Sequence, residues 1–373
     1  MSDCQHTNIN KQSISPTLEQ LKQSLQESNG DTALYALNAG LVDQLLPRYK
    51  VVASLESEKY KWVNYQRYQS TLPALYQTSI DKPLIALIHG QGEILNGSQT
   101  SNAIGGDSFS ALLDKALKSP QIKAVVIRLD TPGGSAFASE KIRQHILDLK
   151  SAGKKVVVSM ASTSASGGYW IASATRSYCS FPSTLTGSIG IFGLFASADK
   201  ALNKIGIYND GVGTSPLSTI TPARALDPKL ADIMQIGIER GYQQFLTVVS
   251  EGRNMSLQQV DAIAQGRVWT GDDAKSLGLV DELGDLKQAI SSAASLANLE
   301  DYNVQPIKVA LSAKQQFLNE VLTNGVKMSP NGLSLNSSLI ESFFDIKAQT
   351  SLLTRFNDPK GHYLYCPMCF INK

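Results

Sequence analysis

The chain is short of most features that would set it apart from ordinary globular proteins. It has 4 cysteines in 373 residues, too few for a disulfide-built scaffold. It has no uninterrupted apolar run long enough for a transmembrane helix. Its start, Met1-Ser2-Asp3-Cys4-Gln5-His6, lacks the basic and apolar regions of a secretory signal. A chain translated as written is therefore expected in the cytoplasm. Charge of one sign is also missing: 34 Lys and Arg against 32 Asp and Glu leave a formal charge of +2. That excludes the basic excess a nucleic-acid or acidic-membrane partner would select. No cofactor and no complete metal-ligand set is expected.

What is there describes a soluble core-forming protein, with 42% apolar and 18% charged residues in a length sufficient for one large or two medium domains. The stretch that organises it is Ser159-Met160-Ala161-Ser162-Thr163-Ser164-Ala165-Ser166-Gly167-Gly168-Tyr169-Trp170. It follows Val156-Val157-Val158, a buried-strand pattern, and passes into helical spacing through Ile171 and Ala174. A hydroxyl at such a junction suits a nucleophile: glycine permits close approach, and a helix start offers unpaired N–H groups to developing negative charge. Ser166 is the expected nucleophile. A small-residue turn packed under a helix would explain the segment equally well if it stood alone.

Upstream and downstream, strands and helices alternate. Leu84–His89 and Ala124–Leu129 read as buried strands. Helices follow with Phe109, Leu112, Leu113 and Ala116, and with Ile142, Ile146 and Leu149, on single faces. Long helices are expected over about 228–253 and 257–265, whereas the tail beyond Glu300 reads as less regular. The pattern predicts an α/β domain with largely parallel strands. Met1 to about Glu27 reads as a loose polar lead-in. Ala36-Leu37-Asn38-Ala39-Gly40-Leu41-Val42-Asp43 and Ala274-Lys275-Ser276-Leu277-Gly278-Leu279-Val280-Asp281 repeat a helix, a glycine C-cap and a strand entry. The expected division is a remnant of a preceding homologous domain over 1–43, a connector over 44–80, the nucleophile-bearing domain over 81–300 and a C-terminal extension over 301–373.

A serine nucleophile needs a base and an oxyanion hole. Gly133 and Gly134, in Asp130-Thr131-Pro132-Gly133-Gly134 after a strand, are expected to present backbone N–H groups at the sheet edge, with the Gly167 N–H as a further donor. None of His6, His89, His145 and His362 falls in a glycine- or serine-rich loop after Ser166, so a Ser-His-Asp triad is poorly supported. A buried lysine of lowered pKa is the other option, and Ser188, in Thr186-Gly187-Ser188-Ile189-Gly190, suits the hydroxyl that orients one. Lys200 and Lys204 read as a solvated helix face, Arg224 stays protonated, and the 211–218 loop holds no lysine. Cys366 and Cys369 form a C-x-x-C, open to a redox dithiol, half a zinc site or a local disulfide.

Four motifs occur in order: Thr131-Pro132-Gly133-Gly134-Ser135, Ser164-Ala165-Ser166-Gly167-Gly168-Tyr169-Trp170, Leu185-Thr186-Gly187-Ser188-Ile189-Gly190-Ile191 and Gly266-Arg267-Val268-Trp269-Thr270-Gly271. With them the chain resembles the signal peptide peptidase A family, in its long bacterial form of two tandem homologous domains. The resemblance runs from about Gly30 to the C-x-x-C. It implies a Clp protease/crotonase-like α/β fold of stacked β-β-α units and serine endopeptidase activity on released signal peptides. It also implies a Ser/Lys dyad, with Ser166 as nucleophile, Ser188 holding the lysine, and Gly133 and Gly134 in the oxyanion region. In the long form the lysine comes from the N-terminal domain, so the expected partners are peptide substrates and a lysine-donating domain or a second copy in a homo-oligomer. The family implies association with the inner membrane, facing the periplasm. Because the lysine is not evident in this chain, little activity is expected of it alone. A catalytically incomplete peptide-binding or assembly subunit is the alternative. A crotonase-like acyl-CoA enzyme is a further one, disfavoured by Ser166 because it would need a carboxylate there.

Overall fold

The computed structural model describes residues 17–57, 63, 68, 82–99, 102–175, 178–195, 197–212, 221–308, 357–366 and 369. The chain divides into two units, Met1–Leu75 and Tyr76–Lys373. The first unit holds α1 (Leu18–Glu27), α2 (Thr32–Asn38) and α3 (Arg48–Ser57). The α1 segment, expected to be a loose lead-in, is a helix because Thr17 and Gln20 close a reciprocal capping box at its start. Helix α2 begins on the Asp31 carboxylate and ends at Gly40, whose φ of +68° is the left-handed turn glycine accepts without strain.

The second unit carries two sheets. Its elements are β1 (Leu84–Gln91), β2 (Ile94–Leu95), β3 (Ile104–Gly105), α4 (Gly106–Lys118), β4 (Ile122–Thr131), β5 (Gly133–Ser135), α5 (Ala136–Ser151), β6 (Lys155–Ala165), α6 (Gly167–Ala172) and β7 (Tyr178–Ser180). They continue as β8 (Leu185–Gly187), β9 (Phe192–Gly193), α7 (Asp199–Lys204), α8 (Pro228–Arg253), α9 (Leu257–Ile263), β10 (Val268–Thr270), α10 (Gly271–Ser276), β11 (Glu282–Leu283), α11 (Leu286–Leu296), β12 (Asn303–Ile307) and β13 (His362–Tyr365). The main sheet runs β10-β8-β6-β4-β1-β12, with β7 paired to β6 and β11. Its pairings are parallel except for β10 with β8. The smaller sheet runs β3-β2-β5-β13-β9. The successions β1-β2-β3-α4 and β4-β5-α5 are the expected β-β-α units, each sending its short strands to the second sheet.

The apolar runs are buried because both faces of the main sheet are covered. On one side Ala86, Ile88, Val125, Ile127 and Val158 pack with Phe109, Leu113, Ile142, Ile146 and Trp170. On the other Ile85, Leu87, Val126 and Val157 pack under Ala289, Ile290 and Ala293 of α11. The segment past Glu300 departs from the expected irregularity: β12 pairs with β1 from Leu84↔Asn303 to Ile88↔Ile307. Alternation is weak in so short a strand, and Pro306 is tolerable there because the strand lies at the sheet edge.

Helix α6 is buried along its whole length, so polar anchors fix its position. Tyr169 Oη donates to the Leu279 carbonyl at 2.8 Å, and Trp170 Nε1 donates to Glu140 Oε2 at 2.6 Å. Glu140 also accepts from Arg143 and Gln144. Burial alone would raise the Glu140 carboxyl, but these donors outweigh it and hold the group below its usual range. A depressed carboxylate contributes stability that is present above its unfolded value, 4.5, and is lost as pH falls through the folded one. Glu140→Gln is therefore expected to cost about 1–3 kcal/mol at pH 7 and to flatten the acid limb of the stability curve. Urea unfolding at pH 7 and pH 4 checks both.

Candidate active site

Parallel pairing of β6 with β8 sets Ala165 beside Gly187, which places Ser166 and Ser188 at adjoining strand exits. The Ser166 N–H donates to the Gly187 carbonyl at 2.8 Å. Both serines have positive φ, +53° at Ser166 and +50° at Ser188. At Ser166 this comes with ψ of −110°, a sparsely populated conformation held by the strand before it and the helix after it. A strand–corner–helix of this kind projects a nucleophile from the sheet end. The bonds around the corner are local and numerous: Trp170 N–H to the Ser166 carbonyl at 2.8 Å, and Ser188 N–H to the Arg267 carbonyl at 2.7 Å. Thr186 Oγ1 adds a bond to the Ser164 carbonyl at 2.8 Å. The Gly266-Arg267-Val268-Trp269 motif thus serves as the floor under Ser188. Gly187 is required there, since a Cβ would come within 2.8 Å of the Trp269 ring on a backbone at φ +77°.

Ser166 is 1% exposed, and among the described residues its Oγ has no hydrogen-bond partner. Ser110, Ser164 and Ser180 Oγ and Tyr178 Oη share this property, so it is the corner geometry that sets Ser166 apart from them. Its neighbours suit acyl chemistry. Gly167 N lies 2.8 Å from the place a Gly133 Cβ would occupy, so the two glycine segments converge beside Ser166. The Gly133 N–H donates to Thr131 Oγ1 at 3.1 Å, so that N–H is already engaged. The expectation of a free sheet edge at Gly133 and Gly134 is corrected: β13 pairs antiparallel with it, Leu364 opposite Gly134 and Tyr365 opposite Gly133. A short strand separated from its sheet by a long irregular sequence gave no signal of this pairing. Asp358 was also missed as an anchor, its carboxylate accepting from Ser135 Oγ at 2.5 Å and Phe137 N–H at 2.9 Å. In the sequence, Asn357-Asp358-Pro359 offers only a turn signature at that place.

His6 lies outside the described residues, and the other three histidines are surface and packing groups. His145 Nδ1 lies 2.8 Å from Asp114 Oδ1. His362 is in β13, and His89 at the outer end of β1 is exposed. Lys200 and Lys204 are exposed on α7; Gly213–Ser218, the lysine-free part of the loop, lies outside the described residues. Cys366 and Cys369 form a disulfide, which settles the open reading of the C-x-x-C. Among the described residues no cluster of His, Cys, Asp and Glu is arranged to hold a metal, and no helix is long and apolar enough to cross a membrane. A cavity of about 320 Å3 opens beside Ser188, bounded by Phe192, Tyr242, Gln265 and Tyr365.

A serine at a strained strand–helix corner, two glycine segments converging on it and a second serine at the adjoining strand exit make up the candidate site of a layered α/β chain. Residues 148–300 match the model of Peptidase family S49. The chain is 37% identical to "Protease 4" of Salmonella typhi over 97% of its own length and 59% of that protein. It is 36% identical to "Putative protease slr0021" of Synechocystis over 56% of this chain and 76% of that one. Among solved structures, ClpP1 from Listeria monocytogenes matches 53% of this chain and 91% of its own, with a TM-score of 0.35 and 19% identity. The chain belongs to peptidase family S49. It spans about three-fifths of the length of the two Protease 4 relatives, 59% and 62%.

Proposed function

We propose that this chain supplies the nucleophile half of a serine peptidase that cleaves apolar peptides such as released signal peptides, and that a lysine from another domain or chain completes it. The observation that carries the reading is the pairing of Ser166 with Ser188 at adjoining strand exits, one hydroxyl orphaned and buried, with a cavity opening at the other. Ser166 Oγ attacks the scissile carbonyl and its proton passes to a neutral lysine amine. That lysine would enter through the cavity beside Ser188, whose hydroxyl orients the amine. The oxyanion is met by the Gly167 N–H, with Gly133 and Gly134 shaping the same wall. As the tetrahedral intermediate collapses, the protonated lysine returns the proton to the leaving amine. Association with a membrane surface and assembly into a homo-oligomer belong to the same proposal.

The two copies of Ala-x-x-x-Gly-Leu-Val-Asp support a preceding homologous domain. In the second copy Leu279 and Val280 are buried in the core, and Arg253 clamps the Gly278 carbonyl and the Asp281 carboxylate. In the first copy the same capping glycine is present, yet Val42 is 40% exposed. The first turn has the shape of the second without the body it would close. The test joins this chain to the part of the Salmonella typhi protein that it does not cover, and follows cleavage of a synthetic signal peptide. Cleavage is expected from the joined protein and not from the chain alone; Ser166-dependent cleavage by the chain alone would overturn the reading. In the joined protein Ser188→Ala is expected to lower kcat on the order of 10²-fold with little change in KM, because it disturbs the base and not substrate binding.

A further inference from the structure

The slot that faces Ser166 is filled by the chain's own tail. Strand β13 lies between β5 and β9, antiparallel to both: Tyr363 stands opposite Ser135 on one side and Phe192 on the other. It continues along the Gly133–Gly134 wall, with the Cys366 N–H donating to the Pro132 carbonyl at 2.8 Å. The Leu364 carbonyl lies directly against the place a Gly133 Cβ would occupy and 3.2 Å from where a Gly167 Cβ would be. A backbone carbonyl of β13 therefore packs on the Gly133 Cα beside Gly167. The Leu364 side chain is fully buried. The disulfide-linked Cys366 and Cys369 pack on Ala165, the residue before the nucleophile. This is how an extended peptide adds to open strand edges, with main-chain pairing for affinity and alternate side chains in pockets.

Building on the peptidase reading, we propose that residues 357–366, tied to Cys369 by the disulfide, form an autoinhibitory strap: β13 occupies the peptide-binding slot as a substrate-like strand, and Ser166 meets a peptide only when the strap is lifted. Two anchors hold it. Upstream, Asp358 binds the start of α5 through Ser135 Oγ and the Phe137 N–H, and the backbone of Asn96 exchanges two hydrogen bonds with the Asn357 side chain. Downstream, the disulfide closes the end of the strand over Ala165. The strap explains why the orphaned Ser166 hydroxyl is sealed from solvent in this state. A peptide must compete with an intramolecular strand at high effective concentration, so turnover in the completed enzyme is set by strap opening as well as by chemistry.

Hydrogen exchange read by mass spectrometry on the full chain tests this, comparing the wild type with Asp358→Ala and with the double variant Cys366→Ser/Cys369→Ser. At least one variant is expected to speed exchange at least tenfold in 362–366 and 133–135, with β4 unchanged. That variant should also bind a fluorescein-labelled synthetic peptide of residues 357–366, carrying serine for Cys366, at least tenfold more tightly than the wild type does. If β4 loosens together with β13 in both variants, or β13 stays protected in both, the strand is a fixed part of the sheet and the strap is refuted. An opened variant that fails to bind the peptide refutes it too. None of these readouts uses Ser166 chemistry, so failure of the strap leaves the peptidase reading standing, and loss of the latter would show only in cleavage.

Discussion

Ser166→Ala, made in the chain joined to a lysine-bearing domain, is expected to reduce peptide cleavage by about 10⁴-fold or more, the scale on which a nucleophile's loss is felt when nucleophile and base act as a unit. The fold should survive. The hydroxyl has no hydrogen-bond partner among the described residues, so its removal breaks no bond there, and alanine leaves the small volume nearly filled. The positive φ of +53° is already strained for serine and is no worse for alanine. Thermal unfolding should shift by a degree or two at most while activity vanishes, and the separation of these two readouts distinguishes a catalytic role from a packing one. A large drop in Tm would mean that the corner itself depends on the hydroxyl, which the geometry gives no reason to expect.

Gly134→Ala is expected to do the opposite, costing stability whether or not activity is measured. Its backbone sits at φ +154°, and an added Cβ would overlap the Ile94 carbonyl oxygen and fall 2.7 Å from the Ile94 nitrogen. These are backbone atoms of the neighbouring β2 strand, paired with Gly134 in the small sheet, and no rotamer change relieves them. Relief requires β2 and β5 to separate. The expected cost is about 3 kcal/mol or more, from conformational strain together with lost pairing and core contact. Chemical unfolding would read it directly. Gly133→Ala should behave alike, with the clash falling on Leu364 of β13 instead.

The sequence carried the fold where local signals were strong. The Leu84–Ile88, Ala124–Leu129 and Val156–Val158 runs became the central parallel strands because their length and continuous apolarity leave them no other way to be buried on both faces. Helix positions Ile142, Ile146 and Leu149 announced themselves by spacing and are all fully buried. The serine corner was legible as a strand–helix junction because two glycines follow a strand there; the packing of Gly187 under Trp269, which shapes the turn at Ser188, came only with the structure.

What could not be read depends on partners distant in sequence. Nothing in His362-Tyr363-Leu364-Tyr365 indicates that it will fill a slot between Gly133–Ser135 and Phe192–Gly193, more than two hundred and about one hundred and seventy residues away. Four residues carry too little periodicity to mark a strand, and its edges come from other elements. The Cys366–Cys369 pairing escaped for a related reason: a C-x-x-C has the same spacing whether it holds metal, cycles electrons or closes a loop.

The central claim is that Ser166 is a nucleophile activated by a lysine this chain receives from elsewhere. Treating the chain alone, the chain joined to a lysine-bearing domain, and the Ser166→Ala form of the joined protein with a fluorophosphonate, then mapping the adduct by peptide mass spectrometry, measures that claim most directly. The account predicts a single adduct on Ser166 in the joined protein, little or none in the chain alone, and none in the Ser166→Ala form. An adduct on another serine, or equal labelling of Ser166 with and without the added domain, would contradict it.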